Sequence, residues 1–357
     1  MNKRLFLFYL LIGICYLHFI ACTRHISKGV SADNIVIFPP PPDTTRIQYL
    51  TSISNSQTIT GKRPAFARFI FGEYKQLSIV KPYGIAIHDG KIYICDTGID
   101  ALEIIDLEKH SFEYFNPTGF GQFKKPLNCF VDEDGYLYVA DGGRNQILIF
   151  DTSGIYVNSF GEPENFKPTD VFVYEDKIWV TNFVDNKIHV YSKDSNRLLY
   201  TLPDSESGNE DFLYSPSNLY VTNDRIYVSD FGDFKIKLFT LEGEFIMSVG
   251  SYGEKIGQFV RPKGIAVDHD QNLYVVDAGF ENTQIFSKEG KLLMFFGGPY
   301  KGSGDLWLPA KVVIDYNNLK YFQSYVDERF ILKYLILVTS QYGPDKINVY
   351  GYVEPKL

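Results

Sequence analysis

Two sets of polar residues recur along this chain at spacings that could serve chemistry. Asn128, Asp170, Asn218 and Lys311 each stand two residues after a proline. Amide and carboxylate oxygens of Asn128, Asp170 and Asn218 are hard ligands of the kind calcium takes. Calcium is the one cofactor they suggest, and no other is expected. Asp96, Asp141, Asn182, Asp230, Asp277 and Ser324 lie fourteen or fifteen residues after the same series of prolines. An Asp or Asn at a strand end commonly caps its own turn, which is the plainer reading of this second set. A zinc site would need several His or Cys at one height. His88, His110, His189 and His269 fall at different phases of the repeat and do not converge. Asp132-Glu-Asp-Gly135 is metal-like in composition but reads as a hairpin turn. GxSxG, HExxH and P-loop motifs are absent. The sequence therefore names no catalytic residue and no metal ligand.

The elements that must position these residues form a repeat. The six openings are Pro82-Tyr-Gly84, Pro126-Leu-Asn128, Pro168-Thr-Asp170, Pro216-Ser-Asn218, Pro262-Lys-Gly264 and Pro309-Ala-Lys311, spaced by 44, 42, 48, 46 and 47 residues. Each starts an apolar strand. A second strand follows (YICD, YVAD, WVTN, YVSD, YVVD, YFQS), then a third (LEIID, ILIFD, IHVYS, IKLFT, TQIFS, ILKYL), then a fourth that often ends in Gly, as at Gly161, Gly250 and Gly297. Side chains alternate with the strand period of two, and turns such as Asp134-Gly135 and Glu289-Gly290 join neighbours. Four short strands per period of about 45 residues is the pattern of a β-propeller blade. The expectation is an all-β, six-bladed β-propeller with four-stranded antiparallel blades. A ring needs closing, or its edges stay open to pairing. Arg46–Ile53 and Phe66–Phe71 precede the first repeat, and Leu337–Ser340 and Ile347–Val353 follow the last. N-terminal strands are expected to complete the last blade.

The motif Pro-x-Gly-Ile-Ala-Val-Asp, then Tyr-Val-x-Asp, then an apolar triplet resembles the NHL repeat over residues 80–335, most clearly at Arg261–Phe286. FPPPPDTTRIQYLTSIS is similar to the entrance segment of bacterial NHL-repeat lipoproteins. That resemblance implies an envelope setting, in some cases near an extracytoplasmic redox system. Asn182, and Ser324 with its Tyr-Phe-Gln-Ser, depart from the family's usual Asp.

The first residues read as an address. Lys3 and Arg4 precede an apolar run from Leu5 to Ala21, and Phe19-Ile20-Ala21-Cys22 resembles a lipobox with Cys22 as the lipidated residue. An uncleaved anchor is the alternative. The expected organisation is a signal peptide at 1–21, a lipidated Cys and Pro-rich tether at 22–43, and the propeller at 44–357. Pro39–Pro42 favour a stiff polyproline spacer.

The 357-residue chain carries 35 Lys and Arg against 43 Asp and Glu, a net charge of −8, which becomes −10 once Lys3 and Arg4 are removed. Such a surface disfavours nucleic acid. Cys95 and Cys129 read as small buried hydrophobes, with a disulfide left open.

These features together describe an exported, lipid-anchored, monomeric and non-catalytic binding protein of a bacterial envelope, on the periplasmic side or the cell surface, with an envelope protein as partner. Its candidate face is the channel mouth, with Asn128, Asp170, Asn218 and Lys311. Arg144, Phe183, Phe231, Phe280 and Tyr325 are the expected loop tips around it. Two alternatives stand beside this reading, a small-ligand or metal sensor at the mouth and a propeller lyase or lactonase.

Overall fold

A computed structural model describes residues 35–61, 76–161 and 164–356. The lipobox, Cys22, most of the expected tether and Phe66–Phe71 lie outside these residues. Two short strands come first, β1 (Ile37–Phe38) and β2 (Ile47–Ile53). Blade one is β3 (Pro82–His88), β4 (Lys91–Asp96), β5 (Ala101–Asp106) and β6 (Ser111–Phe115). Blade two is β7 (Pro126–Val131), β8 (Leu137–Asp141), β9 (Gln146–Phe150) and β10 (Tyr156–Phe160). Blade three is β11 (Pro168–Tyr174), β12 (Lys177–Asn182), β13 (Lys187–Ser192) and β14 (Leu198–Leu202). Blade four is β15 (Pro216–Val221), β16 (Ile226–Asp230), β17 (Lys235–Phe239) and β18 (Phe245–Val249). Blade five is β19 (Pro262–Val267), β20 (Leu273–Asp277), β21 (Asn282–Phe286) and β22 (Leu292–Gly297). Blade six has β23 (Pro309–Asp315), β24 (Phe330–Ser340) and β25 (Ile347–Pro355), and its sheet order is β1-β2-β25-β24-β23.

The ring is therefore closed by the N-terminal strand. Residues Ile47–Ile53 pair antiparallel with β25 and supply the fourth strand of blade six. β1 adds a fifth. The far end of the expected tether thus belongs to the fold. The Phe38 ring packs 6.2 Å from that of Phe296, Thr45 Oγ1 donates to the Pro39 carbonyl at 3.2 Å, and the compact unit starts at Val36 rather than at residue 44.

Blade six departs from the other five in one further way. Its second strand is β24, ending at Ser340. The segment Tyr-Phe-Gln-Ser at 321–324 lies in two short 3-10 turns within an insertion, residues 316–329, between the first and second strands. Ser324 therefore does not end a strand, and ILKYL belongs to the second strand, not the third.

Aromatic residues fill the wedges between blades, as radially splayed sheets require. Trp179, Tyr227, Tyr274, Tyr350 and Phe150 are fully buried, and Phe172 bridges Phe130 and Tyr220 with ring centroids at 4.4 and 4.9 Å. Each such ring contributes roughly 1.5–3 kcal/mol through burial alone. Cys95 and Cys129 are buried free thiols facing each other between blades one and two, where burial pushes the Cys95 thiol up.

Candidate functional site

Strand one of every blade begins on what we call the upper face. The pairing with strand two is irregular just after each repeat proline, for example between Pro168 and Asp170 and between Pro216 and Asn218. A bulge of this kind re-aims side chains. It turns the second residue after each proline into the axis and leaves the first residue after it half-exposed at the channel mouth in blades one to five, whereas Ala310 of blade six is buried.

The inner ring is packed shut. Asn128, Asp170, Asn218 and Lys311 are 0%, 1%, 0% and 7% exposed, so none of them is available to a protein partner. Lys311 Nζ, from blade six, donates to Asp170 Oδ2 at 2.5 Å and to Asn218 Oδ1 at 3.1 Å, crossing the ring to blades three and four. Asp170 also accepts from the backbone N–H groups of Val171 and Leu219. Burial pushes its carboxyl up, and Lys311 pulls it the other way. Asn128 Nδ2 donates to the Thr169 carbonyl at 2.7 Å. Two of the oxygens that suggested calcium, those of Asp170 and Asn218, thus hold an ammonium group instead, while Asn128 Oδ1 has no hydrogen-bond partner among the described residues. Gly84 and Gly264 are forced by the same closeness: a Cβ there would meet the Cα of Asn128 at 2.5 Å and of Lys311 at 2.4 Å.

The strand-two ring is structural. Asp277 accepts from the N–H groups of Val260, Arg261, Gly279 and Phe280, so one buried carboxylate clamps the incoming loop to the outgoing turn. Asp141 does the same with Lys124, Lys125, Gly143 and Arg144. Asp96 repeats this, Asp230 accepts from Tyr214 and Ser215 of the incoming loop and pairs with Lys237, and Asn182 Oδ1 accepts from Lys167 and Val184. The sixth member is Ser340, whose Oγ accepts from Trp307 N, and not Ser324.

The expected loop tips divide. Phe183 and Phe231 are exposed on the upper face, and Phe280 is half-buried there. The Arg144 guanidinium is committed to the carbonyls of Phe120 and Gln122 and to Gln146. Tyr325 is a correction: it sits in the insertion of blade six, on the opposite face, because the true second strand starts only at Phe330. Among the histidines, His189 is held by Asp185 at 2.6 Å, and His269 stacks on Tyr316 at a lower turn. Asp132 to Gly135 form a turn, with Tyr136 N bonded to Asp132 Oδ1. Among the described residues no three His, Cys, Asp or Glu side chains are grouped to hold a metal ion.

The sequence reading caught part of the aromatic character of the upper face, through Phe183 and Phe231, and missed the rest together with a basic series. Exposed aromatic side chains collect there: Phe120, Phe183, Tyr214, Phe231, Tyr252, Trp307 and Tyr342. Four of the six residues just before the repeat prolines are basic, namely Lys81, Lys125, Lys167 and Arg261. The second signal was visible as a KP, KP, KP, RP series.

A protein-family model described as a 6-bladed beta-propeller matches residues 207–351. The chain is a six-bladed β-propeller. Solved structures share this architecture. The chain is similar to virginiamycin B lyase from Staphylococcus aureus (16% identity, 76% of this chain and 84% of that one, TM-score 0.51). It is also similar to a gluconolactonase from Xanthomonas campestris (15% identity, 91% and 96%, TM-score 0.56). A third similar structure is a protein of unknown function from Bacteroides thetaiotaomicron (16% identity, 87% and 76%, TM-score 0.58). At these identities the likeness is one of fold. A search of curated protein sequences gives no match.

Proposed function

We propose that this propeller is an exported, lipid-anchored binding protein that engages a partner protein of a bacterial envelope through its upper face. The observation that carries the reading is the gathering of seven exposed aromatic side chains on that face. Aromatic residues with basic neighbours are the usual anchors of protein interfaces. The lipobox at Phe19–Cys22 supplies the tether. Resemblance to NHL-repeat lipoproteins supports the envelope setting. Lyase or lactonase chemistry, for which two structural neighbours are named, would need a convergent base, acid or metal. Here the axial carboxylate Asp170 is bound by Lys311, which favours a non-catalytic role.

The test is a pull-down from crosslinked membranes with the tagged full chain. The wild type is expected to recover a specific partner. A Phe183→Asp/Phe231→Asp variant should lose it while keeping its melting temperature, since both rings are exposed. Cys22→Ser should move the chain to the soluble fraction. A partner recovered equally by the aromatic variant, or membrane association unchanged in Cys22→Ser, would overturn the corresponding half of the reading.

A further inference from the structure

We propose that the upper mouth of the central channel is an oxyanion-binding site, in which Lys81, Arg261 and Lys263 take the carboxylates or the phosphate of a small polyanionic molecule above the ring of Tyr83. Lys263 is the residue directly after a repeat proline, so the bulge at the start of β19 leaves it half-buried at the mouth. Its Nζ reaches 5.2 Å from the ring centroid of Tyr83, the matching residue of blade one. Lys81, just before β3, places its Nζ 5.5 Å from the Tyr342 ring, and Arg261, just before β19, is exposed on the rim.

Arg261 and Lys81 both act on Lys263. Lys263 is held down to about 8, first by burial and then by Arg261 and Lys81. No carboxylate of the described residues forms an ion pair with any of the three. The nearest axial carboxylate cannot serve, because Asp170 is taken by Lys311 in the layer below. Tyr83 belongs to the floor of the site, beside Asp170 and Asn218, and burial pushes its hydroxyl up to about 12, so it stays a neutral donor. Lys125 and Lys167 repeat the rim position in blades two and three. In a chain of net charge −8, like charges without an ion pair, one of them seated over the Tyr83 ring, lack only a counter-charge. Three cationic donors suit a ligand with two or more anionic oxygens. The site does not depend on a protein partner for the rim aromatics, and its test needs none.

The experiment is calorimetric titration of citrate and of inorganic phosphate, separately and at constant ionic strength, into the full chain in neutral detergent. Wild type is expected to bind at least one of them, and the one it prefers assigns the carboxylate or the phosphate class. Lys263→Gln should weaken that binding about tenfold or more, and Lys81→Gln should weaken it independently. Lys263→Gln relieves like-charge burial, so its melting temperature should hold or rise, which separates lost binding from lost fold. Lys320→Gln, in the lower insertion, should bind as wild type does. The proposal is overturned if neither anion binds, or if Lys263→Gln and Lys81→Gln both bind as tightly as wild type.

Discussion

The upper and lower faces of the ring are made by the same repeat and finished in opposite ways. Lower-face turns carry carboxylates that are mostly satisfied by their neighbours. Asp132 meets Lys193 of blade three at 2.9 Å, Asp268 caps Asn272 and accepts from Tyr334, and Asp315 holds Asn318. Among the described residues the exposed aromatic in a lower loop is Tyr325 alone. The upper face has satisfied carboxylates of its own in the strand-two clamps, but it adds seven exposed aromatics and, at Lys81, Lys125, Lys167 and Arg261, cations that form no ion pair among the described residues. A surface whose polar groups are already paired gives a partner little to gain, whereas exposed rings and unpaired charge are gains in waiting. Structural duty falls on the lower turns and the axis, and under the proposed function recognition falls on the upper rim.

The sharpest way to break that division is at the axis. If Lys311 is structural, Lys311→Ala leaves Asp170 buried without its cation. The loss should be on the order of 3–5 kcal/mol in chemical denaturation. Lys311→Met combined with Asp170→Leu should recover most of it. A Lys311→Ala protein of wild-type stability would show that the axis is free for binding after all.

A smaller effect should come from Glu103, in the upper half of blade one. Its carboxylate oxygens have no hydrogen-bond partner, unlike those of the lower turns. Burial, then the nearby Asp96, raises it to about 10. A carboxyl raised in the native state binds a proton that the unfolded chain has released. Stability should therefore fall as pH rises from about 4.5 towards 10. Glu103→Gln should remove that part of the slope and stabilise the protein at pH 7 by on the order of 1–3 kcal/mol. Thermal melts of both proteins from pH 5 to 9 measure it, and parallel curves would remove Glu103 from the account.

Blades one to five were legible because proline and the strand-two Asp, Asn182 in blade three, mark each at a steady phase. Blade six was misread for a physical reason. The insertion 316–329 places Tyr-Phe-Gln-Ser at the spacing where a strand end belongs, while the real strand is the longer apolar run ending at Ser340. The axial ring was found by spacing, but its use was not. Asp170 and Lys311 are 141 residues apart and meet only because the ring closes. Basic residues stand before four of the six repeat prolines, yet they gain meaning only when the fold brings those positions to one face.

Division of labour between the faces is tested most directly by photo-crosslinking from single positions in cells. A photoreactive residue replaces Phe183, Tyr252 or Trp307 on the upper face, or Tyr325 or Lys320 on the lower. One shared crosslinked partner is expected from the upper positions and none from the lower. Crosslinks that arise from Tyr325 or Lys320 and not from the upper positions would contradict that division.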